Sequence, residues 1–263
     1  MKNNKFLDNL CLIIVFTFLF LPIIVLVLFS FNTSEMNIIF EGFTFHWYKD
    51  LFNNRVLTEA LMNTLIVAIA STIISTVVGT ISAYALHRYN FPLKKLINEF
   101  IYIPVVIPEI VLGISLLCIY TFINLELGMF TLILAHICFS LPFVIINVRS
   151  TLENMDPNLE KAASDLGASK LTIFFKIVIP MLMPGILSGA QLAFTLSLDD
   201  VVISYFTSGP GSNTLPLYIF SMIKTGVTPD VNALISLMLL VIFVILTFTT
   251  LINIRRMKGE IKK

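Results

Sequence analysis

Six apolar runs, at 10–31, 61–86, 100–123, 130–148, 181–206 and 233–254, limit what this chain can fold into more than any other feature. A helix rises about 1.5 Å per residue and the hydrocarbon core of a bilayer is about 30 Å thick, so each run is long enough to cross. Four of the runs contain no Asp, Glu, Lys or Arg; the third holds Glu109, and the fifth holds Asp199 and Asp200. With 13% of its residues charged and a mean hydropathy of +0.93, the chain cannot cover a water-soluble globule with polar surface. The expectation is an all-α membrane protein with six transmembrane helices in a single domain, 1–263.

The first run is longer than the apolar core of a secretory signal, and no small-residue cleavage site follows at Ser30-Phe31-Asn32, so it is read as a retained helix. Orientation follows from the basic residues, which collect on the cytoplasmic side. With the N-terminus inside, 14 of the 17 Lys and Arg fall in inner segments, and only Lys49, Arg55 and Lys224 fall outside. Both termini are then cytoplasmic, which requires an even number of spans. The formal net charge of +1 argues against a nucleic-acid partner. Cys11, Cys118 and Cys138 lie in apolar runs without metal-like spacing and read as small hydrophobes, and no metal site is expected.

Two outer segments are long enough for structure of their own. Segment 32–60 carries Phe43, Phe45, His46, Trp47, Tyr48 and Phe52, an aromatic set suited to the membrane interface. Segment 207–232 is rich in turn formers, including Ser208-Gly209-Pro210-Gly211-Ser212. The connection 124–128 is short, which predicts antiparallel third and fourth helices. The largest inner segment, about 150–180, predicts a helical hairpin. Asp156-Pro157 reads as a helix start and Gly167 as its left-handed stop; Ser169 then caps a second helix over 170–179, ended by Pro180.

Leu159-Glu160-Lys161-Ala162-Ala163-Ser164-Asp165-Leu166-Gly167-Ala168-Ser169, followed by Ile177-Val178-Ile179-Pro180, resembles the EAA loop of ABC importer permeases. The pattern is Glu-Ala-Ala, three residues, Gly, then an apolar stretch ending in Pro. Ala162, Ala163, Gly167 and Pro180 match, but Lys161 stands at the glutamate position, with Glu160 one residue earlier. Further stretches, among them Ser197-Leu198-Asp199-Asp200-Val201-Val202 and Pro104-Val105-Val106-Ile107-Pro108-Glu109, are similar to the spermidine/putrescine permeases of that family. The resemblance covers nearly the whole chain. It implies a type I ABC importer permease architecture in the bacterial cytoplasmic (inner) membrane. The implied partners are a homologous second permease, two cytoplasmic ATPase subunits and an extracellular polyamine-binding protein. It also implies that Lys161, Ala162, Ala163, Leu166, Gly167 and Ala168 couple this chain to the ATPase, with Ala163 against that subunit. The sequence contains no G-x-x-x-x-G-K-[ST] phosphate loop, so no cofactor is expected in this chain and any ATP is hydrolysed by a partner.

Glu109, Asp199 and Asp200 are the candidate substrate-path residues. An acid facing lipid at mid-depth costs at least about 2.5–3.5 kcal/mol, so such groups face a cavity or a partner, or else bond neighbouring helices. Asp199-Asp200 also suits the cap of a span. Counting along a straight helix puts Glu109 near the midplane and the Asp pair toward the outer side, at two different depths. One residue apart on a helix, the Asp side chains diverge by about 100°. At most one of the pair then faces the path; Asp199 is taken as that residue and Asp200 as acting through helix packing. His136, the one histidine inside an apolar run, reads as a helix–helix hydrogen bond. Tyr102, Tyr120 and Tyr205 are candidates for cation–π contact with an amine.

The function expected is a permease for polyamines. An ABC permease for another small solute and an ion-coupled secondary carrier are the alternatives. An anion path should carry buried Lys or Arg, which these runs lack, and a carrier usually shows paired repeats with broken helices. An intramembrane enzyme would need convergent catalytic groups, and no Ser/His/Asp or His-x-x-x-His constellation is present.

Overall fold

The computed structural model of the chain describes residues 5–34, 38–51, 53–156, 158–222, 226 and 228–260. Among them all regular structure is helical, with one isolated antiparallel bridge between Asn32 and Phe43. All six apolar runs are helical, but two of them break where a single rod is expected. Pro157, Phe52, Lys224 and the terminal lysines Lys2, Lys262 and Lys263 lie outside the described residues. The chain divides into two compact units, Met1–Thr58 with Ser221–Lys263, and Glu59–Phe220.

The first unit contains α1 (Lys5–Phe29) and α2 (His46–Asp50), and later α12 (Pro229–Glu260). The large apolar side chains of α1 are exposed along its length, Phe18 to 79%, as a lipid-facing helix requires. The segment between α1 and α2 is held by aromatic packing. Phe31 stacks on Phe43 at 5.0 Å between ring centroids and meets Tyr48 at 5.2 Å, and Trp47 Nε1 donates to the Asn32 carbonyl at 2.6 Å. Asn54 Nδ2 donates to Asp230 Oδ2 of α12 at 2.8 Å.

The second unit takes up most of α3 (Arg55–Arg88), then α4 (Lys94–Val106) and α5 (Glu109–Phe122), which are bent by 113° to one another. The third run is therefore not one straight rod. Ile107 is extended (φ −72°, ψ 136°) because Pro108 disfavours the helical conformation of the residue before it. The helix restarts at Glu109, so counting depth from Phe100 along one axis does not locate that acid.

After a short turn follow α6 (Met129–Glu153), α7 (Asn158–Asp165) and α8 (Lys170–Ile173). A π-helical turn, Phe174–Val178, then leads into α9 (Ile179–Asp199). Pro180 does not end a second hairpin helix, as the sequence suggests; it sits in the first turn of α9. A proline removes one backbone donor and crowds the carbonyl four residues back, and the wide π turn immediately before it absorbs that crowding. Lys170–Asp199 thus forms a 30-residue helical segment. The fifth run breaks after Asp199, where Asp200 is extended (ψ 130°), and α10 (Val202–Thr207) follows, then α11 (Leu215–Ser221).

The core of this unit is the contact of α6 with α9. A Cβ on Gly185 would overlap Thr151, and one on Gly189 would lie 3.1 Å from Val144 Cα. Two glycines four apart therefore let the helices approach closely, the usual way of packing helices in lipid. Val144, Ile145, Val148 and Leu152 of α6 cluster there with Leu182 and Ala193 of α9 and Ala83 of α3.

Candidate functional site

Both helix breaks deliver acids to the same place. Glu109 opens α5, Asp199 closes α9 and Asp200 follows it; with Phe139, Leu196, Val201 and Val202 they line a cleft of about 230 Å³. Three carboxylates expected at two depths thus share one cavity. The two helix interruptions bring this about.

The three acids differ in what they touch. Asp200 is 7% exposed and saturated: Oδ1 accepts from the Ile203 backbone N–H at 3.1 Å, and Oδ2 accepts from the Ser204 N–H and Oγ, each at 2.7 Å. It satisfies the free donors at the start of α10, as a capping residue does. His136 Nε2 lies 3.5 Å from the same Oδ2. Asp199 and Glu109 are exposed, and neither forms a side-chain hydrogen bond or ion pair among the described residues. Of the three acids, these two have both carboxylate oxygens without a protein donor among the described residues. Glu109 also lies in the first turn of α5, where the helix dipole favours a negative charge.

Behind the cleft is a polar network that the sequence reading reduced to one histidine contact. His136 is fully buried; Nδ1 is 2.6 Å from Ser197 Oγ and Nε2 is 3.1 Å from Ser204 Oγ. Ser197 Oγ is in turn 3.1 Å from Ser71 Oγ, and Ser75 Oγ is 2.9 Å from Ser140 Oγ. The spacing Ser71/Ser75 and His136/Ser140, four apart on two apolar helices, is the signal that could have revealed it. None of Tyr102, Tyr120 and Tyr205 lines the cleft. Tyr120 is buried and donates to the Thr131 carbonyl at 3.2 Å.

The second candidate region is the inner hairpin. Asp156 Oδ1 accepts from the Asn158 N–H at 2.9 Å at the start of α7. Gly167 has φ +82°, the left-handed stop its position calls for, and Ser169 Oγ accepts from the Thr172 N–H at 3.2 Å to cap α8. Lys161, Ala162, Leu166 and Gly167 are exposed, Leu166 to 89%; nearby Leu171 is 71% and Phe175 64% exposed. Ala163 does not belong to that surface: it is 8% exposed and packs into the core with Val148, Leu152 and Ile173. Ala168 is half-buried against the same cluster. With helical periodicity, the residue next to exposed Ala162 turns inward. Glu160, likewise 8% exposed, receives Arg88 Nε at 3.0 Å and the Tyr84 hydroxyl at 3.2 Å on the same Oε2. It ties the hairpin to the end of α3.

Comparison with known proteins agrees with the resemblance. Residues 75–257 match the family described as "Binding-protein-dependent transport system inner membrane component". The chain is 41% identical over 248 residues to a spermidine/putrescine transport system permease protein PotC of Haemophilus influenzae, covering 94% of this chain and 96% of that protein. It is 38% identical to the putrescine transport system permease protein PotI of Escherichia coli, covering 87% of this chain and 84% of that protein. The fold is that of a chain in the crystal structure of a bacterial ABC transporter that imports the acidic polysaccharide alginate, with a TM-score of 0.72 at 15% identity, covering 95% of this chain and 97% of the other.

Proposed function

This chain belongs to the family of binding-protein-dependent transport system inner membrane components, multi-pass proteins of bacterial membranes, and we propose that it is the polyamine-carrying permease subunit of an ATP-driven importer. The observation that carries the substrate class is the meeting of Glu109 and Asp199, from two separate helix breaks, at one cleft whose described lining residues include no Lys or Arg. Identity of 41% to a spermidine/putrescine permease over nearly the full length supports the same class.

In this reading the six helical runs each cross the cytoplasmic membrane, both termini lie inside, and the arrangement is that of a type I importer. The chain pairs with a homologous permease and two cytoplasmic ATPase subunits, and receives substrate from an extracellular polyamine-binding protein. ATP is bound and hydrolysed by the ATPase subunits, and the exposed face of the hairpin, with Lys161, Ala162, Leu166 and Gly167, meets them. Ala163 and Ala168 hold that face from behind.

The chemistry of the cleft suits an alkyl ammonium group. At about 4 Å and an effective dielectric constant near 20, an ammonium and a carboxylate attract by about 4 kcal/mol, which replaces part of the hydration the cation loses. Phe139 and Leu196 offer apolar wall to the methylenes. The two acids are partly open to solvent, which keeps the attraction weak enough for release.

Asp199→Asn and Glu109→Gln test this, because each keeps size and hydrogen bonding while removing charge. Uptake of spermidine or putrescine, normalised to inserted protein, should fall at least about 10-fold in the double variant. Normal uptake would overturn the path assigned to these acids.

A further inference from the structure

We infer that His136 is a positioning residue for the cleft: its buried imidazole clamps the interruption between α9 and α10 and so holds Asp199 toward Glu109. The inference rests on the cleft described above and assigns a task to a group that the proposed transport step does not itself use.

The argument begins with what an unbroken helix would do. Ser197 and Ser204 are seven residues apart, which on a continuous α-helix places them on one face, about 10 Å apart along the axis. One imidazole is in contact with both, at 2.6 Å from Nδ1 and 3.1 Å from Nε2. The two nitrogens of a five-membered ring are a fraction of that axial distance apart. The ring joins these hydroxyls because the chain steps out of the helix at Asp200, whose ψ is 130°.

Burial makes the clamp directional. His136 is fully buried, with Phe139 edge-on at 6.2 Å between ring centroids. In such surroundings an unpaired ring nitrogen would forfeit a hydrogen bond that water cannot replace, so both nitrogens stay engaged. Nδ1 fixes the last turn of α9 through Ser197, itself anchored to Ser71 of α3. Nε2 fixes the first turn of α10 through Ser204, with Asp200 Oδ2 at 3.5 Å. Asp199 sits between these two fixed turns. It is the last helical residue of α9, so its direction is set by where the helix stops. Asp200 is held at the cleft wall by three donors, with His136 Nε2 3.5 Å away, so its oxygens are committed to α10, whereas Asp199 has no such tie and takes its direction from where α9 stops.

The charge presented by the cleft can be read without transport. In the complete transporter, Cys11, Cys118 and Cys138 are replaced by Ser and Leu196→Cys reports from the cleft wall. Its modification rate is compared for a trimethylammonium methanethiosulfonate and for neutral methyl methanethiosulfonate. The ratio of the two rates measures local negative potential, and loss of inserted protein does not change it. His136→Ala should lower the ratio at least about 5-fold, Asp199→Asn should lower it equally, and the two together should lower it no further. His136→Gln, which keeps hydrogen-bonding groups toward both serines, should restore most of it.

Should His136→Ala fail to insert, Ser197→Ala removes one arm of the clamp at little cost in volume and should lower the ratio at least about 2-fold. An unchanged ratio in either inserted variant overturns the inference. So does a raised ratio, which would mean that the ring only screens Asp200. If instead the ratio falls as expected while Asp199→Asn leaves polyamine uptake normal, the clamp stands and the transport role of the acid fails.

Discussion

The acid cleft and the inner hairpin use charge in opposite ways. In the cleft, the acid that is most buried, Asp200, is spent on the backbone of α10, and the exposed acids Glu109 and Asp199 stay unpaired. In the hairpin, the buried acid Glu160 is paired inward with Arg88 and Tyr84, and the most exposed apolar side chain presented outward, beside Lys161, is Leu166. A free carboxylate is suited to meet a passing cation, whereas an exposed leucine over a fixed ionic base is suited to a standing protein contact. The two surfaces of one helical unit therefore differ in the lifetime of the partner they suit.

Arg88→Ala probes this difference most severely. It leaves Glu160, whose side chain is 10% exposed, without its cation, and removal of one partner from a buried pair costs about 3–5 kcal/mol. Arg88 itself is half-exposed, so water replaces part of its contribution, and a loss of about 1–3 kcal/mol is expected. The check is a lowered thermal midpoint of the detergent-solubilised transporter, with partial recovery in Arg88→Ala/Glu160→Gln. A thermal midpoint equal to the parent's would mean that the pair does not anchor the hairpin.

Gly167→Val should act next most strongly and on a different readout. Nothing lies within 4 Å of a Cβ at Gly167, so the cost is conformational only, about 1–2 kcal/mol for a side chain held at φ +82°. Substrate-stimulated ATP hydrolysis by the assembled transporter should drop about 5- to 30-fold while the amount inserted holds. Normal hydrolysis would reduce the hairpin to a plain loop and remove one side of the comparison.

Lys161→Glu should have the smallest effect. Lys161 is exposed, and Glu160 already makes the internal ion pair, so reversing the outer charge leaves the base intact. Uptake within about 2-fold of the parent is expected, since exposed charges contribute little. A severe loss would show that charge matters on the outer face as well.

Much of the fold was legible because lipid makes demands that composition records. The six apolar runs are all helical, and the hairpin stop at Gly167 and the cap at Ser169 have the geometry their residue types require. Depth and direction were less legible. Only the 113° bend at Pro108 places Glu109 beside Asp199, because contacts between distant runs leave no periodic trace in either one. The spacing of the Asp pair said that the two side chains diverge, but not which of them caps α10. The serine network left only the spacing of Ser71/Ser75 and His136/Ser140, which marks a polar stripe but not its partner, since a serine in an apolar helix looks the same whether it bonds its own backbone or a neighbour. Pro180 misled for a related reason: the residue that usually stops a helix can instead open one when a π turn precedes it.

That π turn has a mechanical consequence. Lys170–Asp199 is helical throughout, about 45 Å at about 1.5 Å per residue, so the hairpin and the cleft are the two ends of a single strut. A hydrogen-bonded helix resists shortening, and a displacement applied at Ser169 arrives at Asp199 with little loss along most of that length. The ladder departs from α-helical pairing at the π turn Phe174–Val178, close to the end on which a push would act, and again at Pro184, so bending of the strut is expected there first.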